Sequence, residues 1–117
     1  MSGKREEGIR GEEEATKTLK SNGYRIIEKN YRSPFGELDI IAEEGGYLVF
    51  VEVKKRNTRT FGDSFEAINA VKKKRIVKTA VFYMKTHKCL DRKVRFDVVG
   101  IDRENVKIVK HAFILEQ

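Results

Sequence analysis

The sequence predicts an α/β protein with a mixed five-stranded sheet and the element order αβββαββ. Gly45-Gly46 separates two alternating apolar runs, which is typical of a tight β-hairpin. Helical patterns precede the first strand and follow the third. A strand–helix–strand unit in the middle of the chain favours a right-handed parallel crossover, so we expect a mixed sheet covered by helices.

The elements of the N-terminal half are read from periodicity and turn residues. The first helix is predicted from about Lys4 to Asn22, where Gly23 can adopt the left-handed conformation that closes a helix. The three strands that follow are predicted at 24–31, 37–44 and 47–55.

The C-terminal half adds one helix and two strands. The second helix is predicted to begin near Asp63, where Asp63 and Glu66 have the spacing of a capping box, and to end near Thr86. A basic, polar loop at 56–62 precedes it. The last two strands are predicted at 94–101 and 106–114. No repeat or linker interrupts the chain, so we expect a single domain spanning residues 1–117.

The two-residue turn predicts the register of the central hairpin. Glu44 pairs with Tyr47, so the numbers of paired residues sum to 91. Asp39 then lies opposite Glu52, and Glu37 opposite Lys54, on one side of the sheet with Cβ atoms about 5 Å apart. The other side of the hairpin is apolar. It carries Leu38, Ile40, Ala42, Val49, Val51 and Val53.

Two carboxylates directly opposed on neighbouring strands repel each other. At about 5 Å and an effective dielectric constant near 20, the repulsion is about 3 kcal/mol. A bound cation, the nearby Lys54 or a raised pKa of one acid would offset it. A hard cation such as Mg²⁺ suits carboxylate oxygens. The alternative is a solvated sheet face on which Glu37, Glu52 and Lys54 form a charge network, and the spacing alone leaves both open.

The first helix carries a further acid on its predicted buried face. Gly8, Glu12, Ala15 and Leu19 share one helical face, so Glu12 lies in the stripe expected to pack on the sheet. A buried carboxylate needs a partner or a metal. The alternative is that Glu12 lies at the edge of the stripe and pairs with a surface lysine or arginine.

Composition limits the partner and the compartment. The chain has 25 basic and 18 acidic residues, a net charge of +7, which favours a polyanionic partner such as nucleic acid. No apolar run approaches the ~20 residues of a membrane span. Cys89 is the only cysteine and the N-terminal residues lack the apolar stretch of a secretory signal, so we expect a cytoplasmic protein.

Taken together, these motifs resemble the PD-(D/E)XK nuclease superfamily, whose acid and following Glu-x-Lys are matched by Asp39 and Glu52-Val53-Lys54. The chain resembles more closely, over nearly its whole length, the YraN family of nuclease-like bacterial proteins. The matching segments are Gly8-x-x-Gly11-Glu12-x-x-Ala15, Gly36-Glu37-x-Asp39, Val49-Phe50-Val51-Glu52-Val53-Lys54-x-Arg56 and Arg95-Phe96-Asp97-Val98. Leu38 stands where the superfamily motif has a proline, a position that carries no chemistry.

The resemblance implies a restriction-endonuclease-like fold, a three-layer α/β/α sandwich, and an endonuclease acting on DNA, including branched or junction DNA. It implies catalytic Asp39, Glu52 and Lys54 with Mg²⁺ or Mn²⁺. Holliday junction resolvases, which are similar, also use a helix-borne glutamate, so Glu12 becomes a third metal-ligand candidate; by the same analogy the chain would form a homodimer.

The expected nucleic-acid contacts are basic side chains. They are Arg56, Arg59 and Lys72. Lys72 aligns on its helix with Ile76, and the alternative is that it belongs to a solvated basic turn. Two other functions stay open: a non-catalytic nucleic-acid-binding module on the same fold, and a scaffold protein whose basic surface meets an acidic protein.

Overall fold

A mixed five-stranded sheet forms the centre of the fold. The computed structural model describes residues 3–56, 70–102 and 105–113, and within them the predicted order αβββαββ is confirmed. The elements are α1 (Gly3–Ser21), β1 (Arg25–Ser33), β2 (Gly36–Glu44), β3 (Tyr47–Arg56), α2 (Ala70–Thr86), β4 (Val94–Asp102) and β5 (Asn105–Phe113). The strands lie side by side in chain order, β1-β2-β3-β4-β5.

The predicted bounds of these elements agree with the structure to within two residues. The predicted start of the second helix near Asp63, and nearly all of the predicted loop at 56–62, lie outside the described residues. In the described part of the chain, no helix is long and apolar enough to cross a membrane.

The sheet is mixed because β3 and β4 run parallel while the other neighbouring strands are antiparallel. Gly45 and Gly46 have φ angles of 57° and 84°, the left-handed conformation that a two-residue hairpin turn requires. The predicted register is confirmed for the five residue pairs from Ile40↔Val51 to Glu44↔Tyr47.

The two helices cover opposite faces of the sheet. Successive residues of a strand point to opposite faces. On the α1 side, Ala15 and Leu19 pack against Ile40 and Val51. On the α2 side, the buried helix residues pack against the alternate strand residues, whose side chains point to the other face of the sheet. The helix residues of this cluster are Ile76, Ala80, Tyr83 and Met84, and its strand residues include Ile41, Leu48, Phe50 and Phe96. The structure therefore has the three layers that the resemblance implied.

One part of the predicted apolar side is wrong. Leu38 was expected to lie with Ile40, but it belongs to the cluster on the α2 side. The β1–β2 register places Asn30 opposite Asp39, and Asn30 has a φ of 56°. Leu38 and Ile40 thus contact opposite faces of the sheet although they are two residues apart, so the alternation of side chains breaks at Asp39.

A buried charge network closes the opposite end of the sheet, beside the hairpin turn. The Arg95 guanidinium donates two hydrogen bonds to Asp97, of 2.8 and 2.9 Å, and a third of 2.7 Å to Glu44. The Tyr24 hydroxyl donates to Asp97 at 2.7 Å. Arg95 also lies 5.2 Å from the ring centre of Tyr47. Asp97 and Arg95 thus form a buried structural pair.

The α1 C-terminus places Tyr24 in this network. Gly23 has a φ of 86°, and its N–H donates to the Lys20 carbonyl at 3.1 Å. The N–H of Tyr24 donates to the Leu19 carbonyl at 3.0 Å. These two bonds form a Schellman cap, so the predicted role of Gly23 is confirmed.

Replacing Asp97 should be strongly destabilising because Arg95 and Tyr24 would lose the buried carboxylate that they share. We expect Asp97→Ala to lower the free energy of unfolding by about 3–5 kcal/mol, measured by urea denaturation. Arg32→Ala is the matched control: Arg32 pairs with Glu37 at 3.4 Å, but its side chain is 82% exposed. Its loss should cost less than about 1 kcal/mol. Equal costs for the two variants would contradict a stabilising role of the network.

Candidate metal centre

The two predicted acids lie where β2 and β3 separate. The paired register of these strands ends at Ile40↔Val51, one step before the predicted pair of Asp39 and Glu52. The Asp39 side chain takes the place of a strand partner and accepts a 2.7 Å hydrogen bond from the Val53 N–H. The predicted backbone pairing is therefore wrong at this step, although the expected meeting of the two acids is found.

Asp39 and Glu52 are in hydrogen-bonding contact, with Asp39 half-buried and Glu52 buried. Glu52 is only 8% exposed. Burial, followed by the negative charge of Glu52, raises the pKa of Asp39 to about 8, although the Val53 N–H opposes this shift. Asp39 therefore keeps its proton at neutral pH, and its O–H donates to Glu52. One proton thus relieves part of the repulsion that the sequence predicts between these acids.

Two lysines supply positive charge to the acid pair. The Lys72 ammonium lies 3.1 Å from the Glu52 carboxylate and hydrogen-bonds to the Lys54 amine. Burial, the hydrogen bond with Lys72 and the charge of Lys72 lower the pKa of Lys54. Burial acts in the same direction on Lys72, but Lys54 and Glu52 outweigh it and raise the pKa of Lys72. The charge of Lys72 therefore has two effects here: it offsets the Glu52 carboxylate, and it makes protonation of Lys54 less favourable.

Glu12 belongs to α1, which packs on the other face of the sheet from α2. Its neighbour Gly11 packs closely on the strands: a Cβ there would lie 3.6 Å from Lys55 Cδ and 3.7 Å from Ile101 Cδ1. Glu12 is half-buried, and its negative charge contributes to the raised pKa of Asp39. Glu12 therefore acts on the pair through its electrostatic field.

The donor set fits a hard divalent cation. Two carboxylates in contact in a buried environment attract positive charge, and Mg²⁺ commonly takes one or two carboxylates and keeps several waters. Across the described residues, no group of three or more histidine, cysteine, aspartate or glutamate side chains is arranged to hold a metal. Asp39 and Glu52 could bind such an ion directly, and Glu12 stays the predicted third ligand.

Some predicted site residues lie elsewhere. Glu37, expected opposite Lys54, instead pairs with Arg32 at 3.4 Å in an exposed position. The backbone of Arg56 ends β3, and Arg59 lies outside the described residues. Lys72, expected at the nucleic-acid surface, lies in the acid site, where it pairs with Glu52.

Two parts of the site were missed from the sequence. The contribution of the Val53 N–H has no sequence signal, because a backbone donor is present at every residue except proline. Lys72 did have a signal. It lies one helical turn before Ile76, which is buried on the face of α2 that meets the sheet. A lysine on that stripe must point towards the sheet.

The profile described as "Uncharacterised protein family UPF0102" matches residues 11–101. The chain belongs to this family. The predicted YraN membership is thereby confirmed. A UPF0102 protein of Persephonella marina is 42% identical over 109 residues, covering 93% of this chain and 94% of that protein. A UPF0102 protein of Moorella thermoacetica is 40% identical over 116 residues, covering 94% and 97%. The region matched to the family contains the whole acid site.

The raised pKa of Asp39 has a consequence for stability in EDTA. The Asp39 carboxyl titrates near 3.8 in the unfolded chain and near 8 in the folded protein. The stability that the folded protein gains by holding this proton on Asp39 is therefore fully present below pH 3.8, and it is lost as the pH rises through about 8. We expect the free energy of unfolding to fall by at most about 1.4 kcal/mol per pH unit between these two pKa values, measured by urea denaturation.

Asp39→Asn is the control for that measurement, because asparagine preserves the shape of the protonated acid but does not titrate. The variant should match the wild type near pH 4 and become the more stable protein at pH 8. A constant difference between the two proteins over the whole range would contradict the raised pKa.

Proposed function

We propose that the chain is a divalent-metal-dependent endonuclease that hydrolyses phosphodiester bonds in DNA. The observation that carries the proposal is the buried contact of Asp39 and Glu52, with Lys54 and Lys72 beside it. A protein selected for stability alone would avoid such a contact, since unlike a simple salt bridge it joins two acids. The resemblance to PD-(D/E)XK nucleases, which use the same three residue types, supports this reading.

Asp39 and Glu52 would hold Mg²⁺ or Mn²⁺, and the field of Glu12 would favour the ion further. When bound, such an ion supplies a Lewis acid for a phosphate oxygen and lowers the pKa of a coordinated water. Asp39 must give up its proton to serve as a ligand. The short bond from the Val53 N–H holds its carboxylate in one orientation while it does so.

Lys54 is the proposed catalytic amine. It lies two residues after Glu52, and residues at this spacing share one face of a strand. With a lowered pKa, Lys54 has an increased share of the neutral amine, which can accept a proton from a water attacking the phosphate. Once protonated, it would stabilise the negative charge that develops on the phosphate.

The charge of the chain supports DNA as the substrate. Its net charge is +7, and four basic residues of α2 are exposed near its N-terminal end. These residues are Lys73, Lys74, Arg75 and Lys78. With Arg56 and Arg59, they would contact phosphates, which sets the register of the DNA and not its sequence. The preference for branched or junction DNA rests on the resemblance to resolvases.

The first test is cleavage of linear duplex, single-stranded and four-way-junction DNA by the purified chain. We expect products with Mg²⁺ or Mn²⁺ and none in EDTA, because the two carboxylates need the ion to act on a phosphate. Gel electrophoresis of end-labelled DNA measures this. If the DNA binds and no substrate gives a metal-dependent product, the chain is instead a non-catalytic nucleic-acid-binding module on the same fold.

The second test assigns the activity to the site. Asp39→Asn, Glu52→Gln and Lys54→Met should each reduce the single-turnover cleavage rate by about a hundredfold or more. Glu37→Gln is the matched control, because Glu37 lies on the same strand as Asp39 but pairs with the exposed Arg32. It should cleave at the wild-type rate. A site variant with unchanged rate would remove that residue from the mechanism.

A further inference from the structure

We infer that Lys72 is an exchangeable internal counter-ion of the acid site: it holds the Glu52 carboxylate until a divalent cation takes its place. This inference rests on the proposed metal-dependent function and describes how the metal site is regulated. It assigns Lys72 a role different from the phosphate contact that the sequence suggested.

The geometry ties Lys72 to the acid site. Its ammonium lies 3.1 Å from Glu52, whose side chain is only 9% exposed, while the Lys72 side chain itself is 39% exposed. The carboxylate is thus fixed in the sheet, and the lysine reaches it from the solvent-facing margin of α2. A long side chain in this position can swing out to water while the carboxylate stays in place.

The helix anchors one end of the Lys72 side chain. Ile76, one turn further along α2, is buried in the cluster beneath the helix. The backbone at Lys72 is therefore held over the sheet, and the side chain dihedral angles provide the freedom to leave. An exchange of counter-ions then requires a rotamer change and no movement of α2.

A divalent ion and the Lys72 ammonium compete for one carboxylate. Mg²⁺ binds carboxylate oxygens at about 2.1 Å. An ammonium in a salt bridge with the same group would repel it at short range. Binding of the ion and the Lys72–Glu52 salt bridge therefore oppose each other. By thermodynamic linkage, removing the lysine should strengthen binding of the metal.

This expectation separates counter-ion exchange from a purely supporting role. If Lys72 only positioned Glu52 for the metal, its loss would misplace a ligand and weaken binding. If Lys72 competes with the metal, its loss leaves Glu52 without a cation and tightens binding. The two roles thus change metal affinity in opposite directions.

The test is direct titration of Mn²⁺ into the full chain, followed by the loss of the free-ion signal in electron paramagnetic resonance. Lys72→Met keeps an unbranched side chain of similar length and removes the charge. We expect its Kd for Mn²⁺ to be lower than the wild-type value by about fivefold or more. Lys73→Met removes the same charge from the exposed neighbouring position and should change the Kd by less than about twofold.

Thermal unfolding gives a second readout that does not depend on catalysis. In EDTA, Lys72→Met should have a lower Tm than the wild type, because Glu52 loses its partner. Added Mg²⁺ should raise the Tm of Lys72→Met by more than it raises that of the wild type. If Lys72→Met does not fold in EDTA, Lys72→Gln, which keeps a hydrogen-bond donor, replaces it in both measurements.

Each outcome decides the inference. Unchanged or weaker Mn²⁺ binding by the Lys72 variant, or an equal gain by Lys73→Met, would overturn it while leaving the metal site standing. If neither wild type nor variant binds Mn²⁺, the inference fails together with the proposed metal-dependent function. If the variant binds Mn²⁺ more tightly and the wild-type protein cleaves no DNA, the counter-ion exchange is supported and only the proposed endonuclease activity is contradicted.

Discussion

The need to balance buried negative charge governs the organisation of this protein. Asp39 and Glu52 meet where the sheet leaves little access to water, and neither can carry a charge there without compensation. The structure provides compensation of three kinds: a proton retained on Asp39, the Lys72 ammonium and the Val53 N–H. The separation of β2 and β3 and the position of α2 both serve this arrangement.

A second buried charge cluster, at the other end of the sheet, differs in kind. Arg95 holds Asp97 through two parallel hydrogen bonds, and Tyr24 adds a third to the same carboxylate. Such a guanidinium fork is planar, rigid and always charged. The acid site instead relies on a titratable proton and a flexible lysine. Charge partners that can leave are typical of binding and catalytic sites. Fixed charge partners are typical of clusters that only support the fold.

Local rules made much of this predictable from the sequence. A Gly-Gly turn allows few hairpin registers, so the approach of Asp39 to Glu52 followed from counting. The same counting failed one step beyond Ile40↔Val51, where the Asp39 side chain accepts a hydrogen bond from the Val53 N–H. Strand periodicity does not predict a side chain that accepts such a backbone hydrogen bond.

Contacts between distant segments were harder to predict. The alignment of Lys72 with Ile76 showed which way the lysine points, but its partner depends on where α2 lies along the sheet. The Arg95 cluster likewise joins side chains from separate segments of the chain. Periodicity describes one element at a time, so it predicts which face of a helix or strand is buried. Which buried faces contact each other is decided by packing of the whole core.

The tight turn between β2 and β3 also bears on the order in which the chain folds. A hairpin with a two-residue loop can form within about 1–10 μs, whereas β3 and β4 pair only after the long connection containing α2 has closed. Asp39 and Glu52 therefore come together early, before the helix delivers its lysine. During that interval the two acids stand in water without the Lys72 ammonium, and the solvent screens the repulsion between them.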